Sequence, residues 1–200
     1  QTFGGEEDDL GWSIQQTIDG GYIITGTTTS FGNGNDDVYL IKTDGNGNEE
    51  WSQTFGGIFP DGGYSVQQTL DGGYIITGMT TDENENRDVY LIKTYGNGNQ
   101  EWSQTFGESS NNDLGYSVQQ TLDGGYIITG YTHEGDTDIY LIKTDGQGNL
   151  TSTIELPTPT SKRELIKTTN ILGQENTTIK NQPMIEIYDD GSTEKKIVIE

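Results

Sequence analysis

A ten-residue string, Thr17-Ile18-Asp19-Gly20-Gly21-Tyr22-Ile23-Ile24-Thr25-Gly26, returns as Thr69 to Gly78 and again as Thr121 to Gly130, 52 residues further on each time. Tyr39-Leu40-Ile41-Lys42-Thr43 returns at Tyr90 and Tyr140, and Trp51-Ser52-Gln53-Thr54-Phe55-Gly56 returns at Trp102. The opening Gln1-Thr2-Phe3-Gly4 matches Gln53 to Gly56. A fixed period of this length restricts the fold to stacked or ring-forming copies of one supersecondary unit.

Each copy reads as four short strands. Gly11 to Thr17 alternates, with Trp12 and Ile14 expected on one face and Ser13 and Gln15 on the other. Ile18-Asp19-Gly20-Gly21 is a turn, because Asp-Gly and Gly-Gly supply the positive φ of tight hairpins. Tyr22 to Thr29 is the second strand, Ser30 to Asp36 a polar loop, and Val38 to Thr43 the third strand. Asp44-Gly45-Asn46-Gly47-Asn48 turns the chain into a fourth strand, Glu49 to Phe55. The unbroken apolar stretches Tyr22-Ile23-Ile24 and Val38-Tyr39-Leu40-Ile41 suit strands covered on both faces.

Four antiparallel strands in about 50 residues is the composition of a propeller blade, which hides its faces only against its neighbours. The expectation is therefore all-β: an incomplete β-propeller of about three blades over residues 1–150, with units at about 5–56, 57–107 and 108–150. Ser152 stands where Trp51 and Trp102 stand in the earlier copies. The chain opens inside a repeat and without a basic, then apolar, leader, so a fragment is expected, with its signal peptide upstream. Such an arc would expose an apolar face at its N-terminal edge and be prone to aggregate.

Charge divides the chain differently. Residues 1–150 carry 24 acidic and 4 basic side chains, and residues 151–200 carry 8 and 6, so nearly all of the net −22 lies on the repeats. A field this negative repels nucleic-acid phosphates and anionic lipid headgroups. No stretch approaches the roughly 18 apolar residues of a membrane span, so neither nucleic acid nor a membrane-spanning role is expected. With no cysteine there is no disulfide framework and no thiolate metal site.

The strings W-S-x-T-F-G-G, D-x-G-[YW]-S-x-Q-Q-T-x-D-G-G-Y-I-I-x-G and D-x-Y-L-I-K-T-D-x-x-G-N, over about residues 1–149, resemble the propeller-type repeats of large secreted bacterial and archaeal surface proteins. That likeness implies binding or display. Residues 151–161 are rich in Thr, Ser and Pro and read as a linker. Beyond it, Leu165 to Asn170, Thr177 to Lys180, Met184 to Tyr188 and Lys195 to Ile199 are candidate strands of a small β-sandwich-like domain, 162–200.

This tail resembles the C-terminal sorting domain of type IX secretion cargo in Bacteroidota. The likeness rests on Ile171-Leu172-Gly173-Gln174-Glu175, Asn181-Gln182-Pro183, Tyr188-Asp189-Asp190-Gly191-Ser192 and the closing Glu194-Lys195-Lys196-Ile197-Val198-Ile199-Glu200. Asn170 and Gln174 depart from the D-x-L-G-R-E form common in that family. The resemblance implies a sorting signal carried by Leu172, Gly173, Glu175, Tyr188, Asp189, Asp190, Gly191, Lys195 and Lys196. It further implies recognition by the secretion translocon, processing by a sortase and a place on the outer cell surface.

No catalytic residue is predicted. The single histidine, His133, sits in what reads as a variable loop with no counterpart in the other copies, and no nucleophile elbow or phosphate-cradling loop is present. Asp44-Gly45-Asn46-Gly47-Asn48 begins like an EF-hand loop, but its twelfth position would be Phe55, so the residues read as a turn. Asp9, Asp61 and Asp113 precede the first strands, and Asp36-Asp37, Asp82 to Asp88 and Asp136 to Asp138 fall in the loops between second and third strands. These carboxylates are the candidates for a hard cation such as Ca2+, with solvated surface charge as the simpler reading. The recurring Tyr22, Tyr74, Tyr126 and Tyr39, Tyr90, Tyr140 read as core packing before sugar stacking. The expected function is a secreted, surface-attached, non-catalytic repeat protein with a glycan or protein ligand. The rivals are the tail of an exported hydrolase or lyase whose catalytic part lies upstream, and a cation-dependent spacer.

Overall fold

The structure, a computed structural model, describes residues 1–107, 111–153, 165–170, 183–188 and 193–197. The chain separates into two compact parts, Gln1–Ile154 and Glu155–Glu200.

The first part holds three antiparallel sheets built to one plan. The first repeat supplies β1 (Asp9–Gln16), β2 (Tyr22–Thr28), β3 (Asp37–Thr43) and β4 (Glu49–Phe55). The second supplies β5 (Gly62–Gln68), β6 (Tyr74–Thr81), β7 (Arg87–Thr94) and β8 (Gln100–Phe106). The third supplies β9 (Leu114–Gln120), β10 (Tyr126–Glu134), β11 (Asp136–Thr144) and β12 (Leu150–Thr153). Each sheet is ordered as the chain runs, first strand to fourth. The β1–β2 turn forms as the Asp-Gly-Gly string requires. Gly20 takes φ 86°, its N–H donates to Thr17 O and the Thr17 N–H donates to Gly21 O. The Asp19 carboxylate accepts from the Thr17 hydroxyl and the Gly21 N–H.

The strict alternation expected of the first strand does not hold. Gly11 pairs with Gly26 and Ser13 with Thr25, so Trp12 is skipped as a bulge residue. The second and third repeats skip Tyr64 and Tyr116 in the same way. A bulge re-aims the side chain it carries. In each repeat the ring leaves the inter-repeat core, while the residue two places on is free to enter it, as Val66 and Val118 do.

The apolar run Val38-Tyr39-Leu40-Ile41 of β3 is buried as expected, and Asp37, Lys42 and Thr43 are buried with it. Ile23, Val38, Leu40 and Phe55 of the first sheet pack against Val66, Tyr74, Ile76 and Ile92 of the second. Ile75, Val89, Leu91 and Phe106 repeat the arrangement against Val118, Tyr126, Ile128 and Ile142 of the third. Trp51 lies against Tyr74 at 5.8 Å and Trp102 against Tyr126 at 5.8 Å, so the recurring tyrosine at this position is a core residue. Ser152, opposite Lys143, takes the register position that Trp51 and Trp102 hold opposite Lys42 and Lys93.

Side chains of the first strands stitch neighbouring repeats together. Gln15 Oε1 accepts from the Gln68 N–H at 2.6 Å, and Gln68 Oε1 accepts from the Ile18 N–H at 2.8 Å. Gln67 and Gln120 repeat this clasp between the second and third repeats. The Gln-Gln pair of the motif therefore holds successive first strands side by side.

The outer faces of the stack lack this cover. Ile14 is 63% exposed where its counterpart Val66 is 5% exposed, and Ile139 is 75% exposed where Val89 is 1% exposed. The second part of the chain has one antiparallel sheet, β13 (Leu165–Asn170), β14 (Pro183–Tyr188) and β15 (Thr193–Ile197), in that order. The strand expected at 177–180 lies outside the described residues. Among those residues there is no helix, hence none long and apolar enough to cross a membrane.

Candidate functional site

Two features outside the apolar core recur with the repeats. The first is a row of aromatic rings on the bulges of β1, β5 and β9. Trp12 meets Tyr64 edge-on at 6.1 Å, Tyr64 meets Tyr116 at 5.5 Å, and Tyr116 meets Tyr131 of β10 at 5.8 Å. Trp12 is 56% and Tyr116 51% exposed, with Tyr64 half-buried between them. An open groove of about 370 Å³ runs along Trp12, Tyr64 and Tyr116. The Trp12 indole N–H donates to the Thr27 hydroxyl at 3.2 Å, which fixes the ring. Burial first, and then the neighbouring tyrosine, raises the Tyr64 and Tyr116 hydroxyls above the ordinary phenol range, against the pull of Arg87. The row can offer π faces and phenol hydroxyls to a ligand. The one sequence signal for this set is the recurrence of Trp12, Tyr64 and Tyr116 at 52-residue intervals.

The second feature lies at the junction between repeats, where one of the expected acidic residues acquires a partner. Asp61 is 2% exposed and sits beside Asp37, which is 1% exposed. Its backbone N–H donates to Asp36 O at 2.7 Å, tying the entry of β5 to the start of β3. The Asp61 Oδ2 accepts from the Gly57 N–H, and the Asp37 Oδ2 accepts from the Asn33 N–H and, at 3.3 Å, the Gly34 N–H. The Oδ1 atoms of both aspartates are buried without a hydrogen-bond donor. Burial raises the Asp61 carboxyl above the ordinary carboxylate range; hydrogen bonds from Thr80 and Gly57 oppose this, and the Asp37 charge adds to it. Asp113 meets Asp88 in the same way one repeat on, with its N–H on Arg87 O at 2.6 Å.

Asp9, at the same repeat position, is placed differently. Its oxygens accept from the Thr28 hydroxyl, the Ser30 hydroxyl and the Gly5 N–H. Burial opposes ionisation of Asp9, yet those three donors outweigh it and lower its carboxyl below the usual value. The three predicted candidates are thus not equivalent: Asp61 and Asp113 each face a second aspartate, and Asp9 faces hydroxyls. Sequence reading placed Asp37 and Asp88 in loops; they lie on β3 and β7. Among the described residues no group of three or more His, Cys, Asp or Glu side chains converges as a metal cage.

Other expectations need correction. His133 is on β10, opposite Thr137, not in a loop, and its Nδ1 lies 2.9 Å from the Thr137 hydroxyl. Asp136 and Asp138 are strand residues of β11 for the same reason: the third repeat closes its hairpin over Gly135 alone. Asp44 accepts from the N–H groups of Asn46 and Asn48 and from the Asn48 side chain, so its carboxylate shapes its own turn. Of the sorting-signal residues, Tyr188 ends β14 opposite Leu165, while Lys195 and Lys196 lie on β15 opposite Ile185 and Met184. Leu172, Gly173, Glu175, Asp189, Asp190 and Gly191 lie outside the described residues.

These features define an all-β repeat protein with one aromatic outside the apolar core per repeat and one pair of converging aspartates at each junction between repeats. No protein-family model and no curated protein matches the chain.

Proposed function

We propose that this chain is a secreted, surface-attached, non-catalytic binding and display module of the β-propeller type, exported through its C-terminal segment by type IX secretion. The observation that carries the binding role is the row Trp12–Tyr64–Tyr116, three rings at one repeat position directed away from the core and left accessible along one groove. Core packing explains the tyrosines at positions 74 and 126, and it does not explain these. Supporting the propeller reading are face-to-face sheets and first strands clasped side by side, as strands nearest a common axis would be. The export reading rests on the tail resemblance.

The ligand class that suits stacked rings with hydroxyl rims is carbohydrate. Titration of the protein with a panel of neutral and acidic oligosaccharides, followed by tryptophan fluorescence and calorimetry, should find a binder whose affinity falls about tenfold or more on Trp12→Ala or Tyr116→Ala, the scale of losing one aromatic contact of about 1.4 kcal/mol. Binding that both variants retain at full strength would sink the assignment to this row. For export, a reporter fused to residues 151–200 should reach the surface of a type IX-competent cell, and its retention inside would end that part of the proposal.

A further inference from the structure

We propose that the junction between the first and second repeats is a binding site for a hard divalent cation of the calcium class, held by Asp37 and Asp61. The pair alone would be only an acidic cluster. What points to a ligand is the state of the oxygens. Each aspartate is more than nine-tenths buried and has its Oδ2 pinned by a backbone N–H; Asp37 leaves its Oδ1 inside the protein with no hydrogen-bond donor, and Asp61 does the same although the Thr80 hydroxyl acts on its carboxylate. A buried carboxylate oxygen without a donor is costly, and Asp37 Oδ1, which converges with Asp61 Oδ2 at Gly56, also meets a like charge there. A calcium-class ion removes both penalties, because it binds oxygen ligands and neutralises the like charges.

Gly56 shows how closely the two carboxylates converge. A Cβ at Gly56 would stand within 2.5 Å of Asp37 Oδ1 and Asp61 Oδ2. Gly107 stands in the same relation to Asp88 and Asp113, whose oxygens come within 2.8 Å of its Cβ position. The Phe-Gly corner that ends each fourth strand therefore leaves room for two converging acids. Two carboxylates fill only part of a coordination shell of six to eight oxygens, and backbone carbonyls and water complete it. On a repeat region with 24 acidic and 4 basic side chains, such an ion would also relieve repulsion where two sheets meet. It would act as a bolt between repeats, distinct from the aromatic row.

The alternative is a single proton shared by the two acids, and one experiment separates them. Thermal unfolding of the whole protein is followed at pH 7.5 in EDTA, in calcium chloride and in magnesium chloride, for the wild-type first junction, Asp37→Asn, Asp61→Asn and the control Asp9→Asn, all four carrying Asp88→Asn so that the matching pair at the second junction does not answer for the first. The expected result is a climb of Tm with the logarithm of calcium concentration that is present with the wild-type first junction, is lost in Asp37→Asn and Asp61→Asn, and survives in Asp9→Asn. Terbium luminescence gives a second readout that does not depend on stability. Tyr90 feels the charges of both Asp61 and Asp37, so it should sensitise bound terbium with the wild-type first junction and in Asp9→Asn but not in the two site variants. A Tm indifferent to calcium, or one that responds equally in all four proteins, would overturn the proposal. So would a terbium signal that persists in Asp61→Asn.

Discussion

Lys42 carries its ammonium into a buried position, where it meets Asp19 and Glu50, each at 2.9 Å, and the Thr43 carbonyl. Lys93 repeats this with Asp71 and Glu101. Lys143 keeps Asp123 alone, because Thr151 stands where the glutamate would be, and it is correspondingly more exposed. Removing both anions leaves a buried charge unpaired, so Asp19→Asn with Glu50→Gln should cost about 3 kcal/mol in urea unfolding, whereas Lys42→Met, which removes the charge and keeps the volume, should cost under about 1 kcal/mol. The carboxylates on the other side of these bridges set a pH dependence. The Thr17 hydroxyl and Lys42 lower Asp19 to about 2; burial opposes the same shift in Asp71, but Thr69 and Lys93 still bring it to about 2. Folded values below the unfolded one mean that their stabilisation is present above about pH 4. It is lost as pH falls toward 2. Asp61 has the opposite sign: its raised carboxyl favours folding at low pH, and that contribution fades as pH rises through the folded value. Metal-free protein should therefore gain stability on mild acidification before losing it below about pH 4, and Asp61→Asn should flatten the first limb.

At the scale of elements, one short loop pattern serves two connections. Asp44–Asn48, Asp82–Asn86 and Asp145–Asn149 each place an aspartate whose carboxylate accepts from N–H groups two and four residues on. The fourth residue is left-handed in all three: Gly47, Gly148 and, without that freedom, Glu85 at φ 66°. Glu85→Gly should then stabilise by about 0.5 kcal/mol and Gly47→Ala destabilise by about 1 kcal/mol, as read by chemical denaturation. Strands and turns were legible in the sequence because their determinants are local: apolar runs, Asp-Gly turns and a period that triples every signal. The first-strand bulge was not, since Gly11-Trp12-Ser13 alternates well enough as a plain strand, and only its register against Gly26 and Thr25 shows the skipped residue. His133, Asp136 and Asp138 were misplaced because the third repeat shortens its loop and continues the ladder to Glu134 and Asp136. The Asp37–Asp61 encounter was hidden for a different reason. Those residues belong to different repeats and meet only when sheets stack.

Across the whole repeat region, stability resides in the faces between sheets. The same apolar position is core or surface depending on whether a neighbouring sheet covers it, as Ile14 and Val66 show. The stack has apolar residues left open at both outer faces, Ile14 at one and Ile139 at the other. The negative charge on the repeats opposes association, and these open faces favour it when that charge is screened by salt. The direct test of face-to-face stacking is equilibrium unfolding of Val66→Ala beside Ile14→Ala, two truncations at one repeat position. Stacking predicts a loss of about 2 kcal/mol for Val66→Ala, which opens a cavity between sheets, and under about 0.5 kcal/mol for Ile14→Ala. Equal losses at the two positions would contradict it.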